Sequence, residues 1–163
     1  MALTTTPGDA FADSYASLTE ADAYHLARGR DSAWVDLDAE EKEPALRKAT
    51  AYLDAKYAWR GDRVSSAQAL GWPRSGVVFD GFTLASDAIP ARLRDACCEL
   101  ALRALTEDLF SDVSAQHVES VKVGPIERKL SAPANGSQKR YPLVDAMLRD
   151  LTVSGNSIPL VRA

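Results

Sequence analysis

Pro90-Ala-Arg-Leu-Arg-Asp-Ala-Cys-Cys-Glu-Leu-Ala-Leu-Arg-Ala-Leu-Thr-Glu-Asp-Leu-Phe110 is the stretch whose reading decides the fold. Leu93, Ala96, Cys97, Leu100, Ala101, Ala104 and Leu105 recur at spacings of three and four, one face of an α-helix. Pro90 suits a first helical position, where its missing N–H would have had no partner. Arg92, Arg94, Asp95, Glu99 and Arg103 hold much of the opposite side, while Cys98, Leu102 and Leu109 widen the apolar face. A helix so broadly apolar must be covered by others. The expected fold is mainly α: a small helical bundle around this one central helix.

The chain has 163 residues, which fits one domain with extensions, and enough length to build a core without disulfide or metal staples. Its only cysteines, Cys97 and Cys98, are neighbours on that helix, where successive side chains diverge by about 100°. They are poor disulfide partners, so nothing demands an oxidising compartment. Met1 to Asp13 lacks both the basic start and the apolar run of a secretory signal. No apolar run approaches the roughly 20 residues that cross a bilayer. The expectation is a soluble protein with no membrane partner.

Charge is unevenly spread. Residues 1–116 carry 12 basic and 19 acidic side chains, net −7, and residues 117–163 carry 7 basic and 4 acidic, net +3, which together make the overall −4. A nucleic-acid binder is usually basic over a face, so this is not that footprint. An acidic body with a basic C-terminal arm suits copies touching head to tail, although ordinary scatter of surface charge gives the same numbers.

Residues 1–17, polar and small with Pro7 and Gly8, read as an extended N-terminal arm. Thr19 is expected to cap a helix with Glu20 and Asp22 in its first turn, running through Tyr24, His25 and Leu26 to a stop at Gly29. Trp34 to Glu43 reads as an acidic connection. Asp36, Asp38 and Glu40 resemble a calcium loop only briefly, since Glu41 stands where glycine is needed and Arg47 where the bidentate Glu is needed. Asp38 with Glu41 fits a capping box on a second helix, with Leu46, Ala49, Leu53 and Tyr57 as its stripe. Pro44 implies a bend there, or a start near Glu43.

Beyond Trp59-Arg60-Gly61, the stretch Ser66 to Gly76 reads as one helical turn and then a fixed loop, with Trp59 and Trp72 sealing the core. Val77 to Asp87 is a turn-rich connection around Asp80-Gly81. Period-two alternation over 117–131, interrupted by Gly124-Pro125, predicts a projecting β-hairpin. Alone in water such a hairpin is marginal, and it needs more strand or another chain. Tyr141-Pro142 opens a short helix with Val144, Met147, Leu148 and Leu151 on one side. Residues 152–163 read as a C-terminal tail, which leaves 18–151 as the domain.

No catalytic constellation is evident, so the expectation is a protein that is not an enzyme and uses no cofactor or metal. His25 and His117 are the only histidines. His117-Val118-Glu119 mimics part of a zinc-deaminase signature without its Pro-Cys-x-x-Cys partner. No Walker loop and no Gly-x-Ser-x-Gly elbow is present.

Ser14-Tyr15-Ala16-Ser17-Leu18-Thr19-Glu20-Ala21-Asp22-Ala23-Tyr24, Ala49-Thr50-Ala51-Tyr52-Leu53-Asp54, Trp59-Arg60-Gly61, Gln68-Ala69-Leu70-Gly71-Trp72-Pro73-Arg74, Ile89-Pro90, Glu99-Leu100-Ala101, Ser120-Val121-Lys122-Val123-Gly124-Pro125-Ile126 and Tyr141-Pro142-Leu143-Val144-Asp145 stand in that order across residues 14–151. In order and spacing they resemble a family of tailed-bacteriophage proteins often labelled DnaT-like single-stranded-DNA-binding protein, which is similar to head–tail connector, or adaptor, proteins. The resemblance implies a structural virion protein at the head–tail interface, made in the host cytoplasm. It would form a homo-oligomeric ring, a dodecamer in the usual case, between the portal protein and a tail-side connector or tail terminator, with double-stranded DNA passing through the channel.

Under that reading the interface with portal or neighbour falls on the hairpin, at Val118, Val121, Lys122, Val123, Gly124, Pro125, Ile126, Arg128 and Lys129. The alternative is a single-stranded-DNA-binding replication protein. Trp59, Arg60, Arg63, Trp72 and Arg74 would then stack on bases and pair with phosphates. The isolated chain is expected to be a monomer.

Overall fold

The computed structural model describes residues 2–110, 122–123, 126–127 and 140–153. The chain divides into two units, Met1–Leu109 with Tyr141–Ala163, and Phe110–Arg140. The described residues include five helical segments and three two-stranded antiparallel ladders, and the fold is mainly α.

Helix α1, Leu18–Leu26, is capped by Ser17, whose hydroxyl accepts from the Glu20 N–H while the Glu20 carboxylate accepts from the Ser17 N–H. The cap expected at Thr19 is thus two residues early. Ser17-x-x-Glu20 and Thr19-x-x-Asp22 both fit the capping pattern. Asp22, however, is taken by the Trp34 indole N–H at 2.9 Å and the Lys42 ammonium at 3.0 Å. Asp31–Val35 forms a π-helical turn that carries Trp34 into full burial. The stretch read only as an acidic connection therefore begins with a core anchor.

Helix α2, Ala39–Lys56, runs through Pro44 without ending. The proline sits exposed near the helix start, where the carbonyl that loses its donor belongs to exposed Glu40. Asp38 is the N-cap, yet its carboxylate makes no capping bond, so the expected box with Glu41 does not form. Leu46, Ala49 and Leu53 are buried as their spacing predicts, whereas Tyr57, expected in the same stripe, is half-buried at the C-cap.

Helix α3, Ala91–Ala104, packs against α1, α2 and the short α4, Pro142–Leu148. Leu93, Ala96, Cys97, Leu100 and Ala101 are all fully buried, and Thr50 Oγ1 meets Cys97 Sγ at 3.4 Å across the α2–α3 contact. On α4, Asp145 accepts from Tyr57 and pairs with Lys56 at 3.1 Å, while Tyr141 meets Tyr52 edge to face at 5.5 Å.

The stretch expected as an extended N-terminal arm is in part core. Ala12, Ser14, Tyr15 and Ala16 are buried, the Tyr15 N–H donates to Thr50 Oγ1 at 3.2 Å, and Asp13 pairs with Arg47 at 2.6 Å. Small side chains without periodicity gave no hint of this, because their partners lie more than thirty residues away. At the other end, Thr152 pairs with Trp59, and the Val153 N–H donates to Ala58 O at 2.8 Å. Residues 154–163 of the expected tail lie outside the described residues.

In the Phe110–Arg140 unit, Lys122–Val123 and Ile126–Glu127 pair antiparallel, with Lys122 opposite Glu127 and Val123 opposite Ile126. The rest of the hairpin expected over 117–131 lies outside the described residues. No described helix is long and apolar enough to cross a membrane.

Candidate functional site

The loop between α2 and α3 gathers the residues that carry aromatic and cationic chemistry. Asp54, in the last turn of α2, organises it. One carboxylate oxygen accepts from the Tyr15 hydroxyl and, at 3.0 Å, from the Trp59 indole N–H, and the other accepts from the Gly71 N–H at 2.9 Å. The Tyr15 oxygen then accepts from the Trp72 N–H at 3.2 Å. Burial, and the Asp54 carboxylate beside it, push the Tyr15 phenol well above its ordinary range, so it stays a neutral donor.

Trp72 is fully buried, its ring edge-on to Trp59 at 6.2 Å, and the bond to Pro73 is cis. Trp59 is half-buried. The short strands β1, Asp62–Arg63, and β2, Arg74–Ser75, pair antiparallel and pin the loop's ends. Within Ser66 to Gly76, where one helical turn and then a fixed loop were expected, the chain makes irregular bends and no helical turn. Gln68 holds them: it is buried, donates to Leu70 O at 2.9 Å and Pro73 O at 3.1 Å, and accepts from the Ser65 N–H at 3.0 Å.

The three arginines of this loop donate to backbone carbonyls. Arg63 reaches Gln68 O and Leu70 O. Arg74 reaches the carbonyls of Arg60, Gly61 and Gly71. Arg60 Nε donates to Thr152 O at 2.9 Å. Arg60 and Arg63 nevertheless keep exposed surface, while Arg74 is half-buried.

Gly61 lies where this frame is tightest. Its φ is +71°, and a Cβ there would stand 2.2 Å from Ser75 O and 2.6 Å from a Val77 methyl. Gly76 has a similar φ of +73° but open space around it. Gly61→Ala is therefore expected to cost about 2–4 kcal/mol, left-handed strain plus overpacking. Gly76→Ala should cost about 1–2 kcal/mol, strain alone. Urea unfolding midpoints at constant slope check both.

A second hairpin follows, β3 at Val78–Phe79 and β4 at Phe82–Thr83, turning at Asp80 and Gly81, both with positive φ. Phe79 lies opposite Phe82, the Arg92 guanidinium sits 4.5 Å from the Phe79 ring centroid, and Phe82 is 76% exposed. This exposed aromatic tip was missed. The signal was present, since Asp-Gly between apolar residues is a strong short-range hairpin signature.

Of the residues expected at a protein interface, Lys122, Val123 and Ile126 lie in the paired strands β5, Lys122–Val123, and β6, Ile126–Glu127. Val118, Val121, Gly124, Pro125, Arg128 and Lys129 lie outside the described residues. Among the described residues no group of three or more His, Cys, Asp or Glu side chains could hold a metal ion.

A family model described as "Putative DnaT-like ssDNA binding protein" matches residues 1–163. The chain belongs to that family. Searches of curated proteins and of solved structures gave no match. For this DnaT-like protein, the geometry sorts the five residues that single-stranded DNA binding would use. Trp72 offers no face to a base and Trp59 offers part of one. Arg63 and Arg74 hold the loop's own carbonyls, and Arg60 and Arg63 alone of the three arginines are largely open to solvent.

Proposed function

We propose that this DnaT-like protein is a structural component of a tailed-phage particle, an adaptor that assembles with its own copies in a ring between portal and tail. The observation that carries this reading is the internal use of the Trp–Arg cluster. Trp72 is core, and Arg63 and Arg74 brace the loop, so these residues act as a frame rather than a stacking platform. The ordered resemblance across residues 14–151 supports the adaptor role, as do the opposite charges of residues 1–116 and 117–163, which suit a head-to-tail interface that closes on itself. The hairpin around β5 and β6 is the docking element in this reading, because a two-stranded ladder has edges that can pair with another chain. Deleting residues 119–129 from the phage gene should give filled heads without tails by electron microscopy. Tailed, infectious particles from that deletion would sink the proposal.

The family description favours a second reading, single-stranded-DNA binding. In that case the exposed Arg60 and Arg63 would contact phosphate. Oligonucleotide anisotropy at rising salt separates the two readings. Each phosphate contact adds about 0.7 to the slope of log affinity against log salt. A folded Arg60→Ala, Arg63→Ala double variant with a slope shallower by one to two contacts would support DNA binding. Absence of any salt-dependent binding by the native protein would exclude it.

A further inference from the structure

We infer that the corner made by α1 and the π-helical turn is an acid-sensitive latch, closed on α3 while His25 is neutral and opened when its ring takes a second proton. His25 is fully buried on α1. Its Nε2 lies 3.2 Å from Cys98 O on α3, so that nitrogen carries the proton and donates. The other ring nitrogen, Nδ1, is buried with no hydrogen-bond partner. The ring packs 4.7 Å from Trp34 of the turn and meets Tyr24 edge-on at 5.2 Å.

The charged groups around it oppose a second proton. Arg30 and, to a smaller degree, Arg28, in the loop that leaves α1, disfavour an imidazolium at His25. Glu99 on α3 is the acid that would favour one, but it already holds Arg30 and Arg103 at 2.8 and 3.0 Å and accepts from Tyr24. On the far side of Trp34, Asp22 of α1 is occupied by Lys42 of α2 and by the indole N–H. Burial, then Arg30, hold the His25 pKa below its ordinary value. A proton on Nδ1 would be a buried donor without an acceptor, in a site with more cation than free anion. The contacts that hold the ring, Cys98 O of α3 and Trp34 of the turn, are the ones that must loosen for Nδ1 to be hydrated, and that loosening is the proposed opening.

The sign follows from proton counting. The closed form binds fewer protons than the open form, so closure weakens as pH falls below the open-state value of about 6.5. For one proton, the opening constant should rise as pH falls below that point, with about tenfold per pH unit as the limiting slope. The carboxylates of Glu20 and Glu99 are both held below their ordinary range, so they do not interfere above pH 5.

The chain has two histidines, so His117→Gln leaves imidazole resonances that report His25 alone. Amide hydrogen exchange, corrected for its intrinsic pH dependence, should accelerate in residues 18–35 as pH falls from 6.5 to 5, by at most about 15-fold over that window for one proton. The amides of α3 should hold steady. His25→Phe, which cannot take the proton, should abolish the acceleration; should that variant not fold, the exchange and His25 titration of the His117→Gln protein decide. A His25 that titrates at 6.5 or above with exchange unchanged overturns the latch. So does exchange in α3 that rises in step with α1, since that is global unfolding.

Discussion

Glu99→Ala is expected to destabilise the protein by about 3–5 kcal/mol at neutral pH, the range for removing one partner of a buried charge cluster. The Glu99 carboxylate is 1% exposed and accepts three side-chain donors: the Tyr24 hydroxyl at 2.9 Å, Arg30 at 2.8 Å and Arg103 at 3.0 Å. It therefore links α3 to α1 and to the loop after α1. Through Arg103, whose guanidinium lies 5.7 Å from the Tyr141 ring centroid, it also reaches the entry to α4. Arg30 and Arg103 are each about a third exposed, so they rehydrate in part, which favours the lower end of the range. Glu99→Gln keeps an acceptor for Tyr24 and should cost about 1–3 kcal/mol.

The pH dependence has a definite sign. Burial alone would raise the Glu99 pKa, but the Tyr24, Arg30 and Arg103 bonds outweigh it and hold the carboxyl below its ordinary range. Its contribution is then full above the unfolded value of about 4.3 and is lost as pH falls through the lower folded value. Native and Glu99→Ala proteins should differ most at pH 7, and the gap should narrow below about pH 4. Urea unfolding followed by far-ultraviolet circular dichroism at both pH values measures this. A gap below about 1 kcal/mol at pH 7 would mean that the cluster is neutral and that its residues serve only to fix geometry.

Much of this fold was legible because it is periodic. The stripes of α2, α3 and α4 repeat at three and four residues, and the buried Leu46, Leu53, Leu93, Leu100, Val144 and Leu148 fall where that spacing puts them. What was not legible depends on single long-range contacts. Trp34 is buried through a five-residue π-helical turn, too short to show a period. Tyr15 is buried because Thr50 and Asp54, far along the chain, supply its partners. The capping error at Ser17 is of the same kind, since two local patterns competed and the tertiary role of Asp22 chose between them. Trp59, Arg60, Arg63, Trp72 and Arg74 are the residues expected to touch DNA under the alternative reading, and all five lie in the loop between α2 and α3. Their spacing could not tell a surface that grips DNA from a loop that grips itself. Backbone carbonyls have no sequence signature, and those carbonyls take up the arginines here.

That distinction makes Trp72 the most informative single position. Trp72→Ala is expected to cost about 3–5 kcal/mol, the range for emptying a large aromatic site in a packed core. Against a typical total of about 5–15 kcal/mol this can unfold much of the population at 37 °C. The ring is 1% exposed and lies beside Trp59, and the residue's own N–H is bonded to Tyr15, so the cavity would open under the Asp54 hub. Trp72→Phe should be far milder, about 0–2 kcal/mol, because its smaller ring stays apolar and the substitution removes an indole N–H that is buried without a partner. Phe82→Ala, at the exposed hairpin tip, should lie within about 0.5 kcal/mol of the native protein. Urea unfolding of the three variants gives the ranking. Should Trp72→Ala prove as mild as Phe82→Ala, the ring is dispensable to the core, and its use as a stacking surface for bases returns. Should the ranking hold, loss of DNA binding in Trp72→Ala would report unfolding, and only variants at exposed positions such as Arg60 can decide what this protein touches.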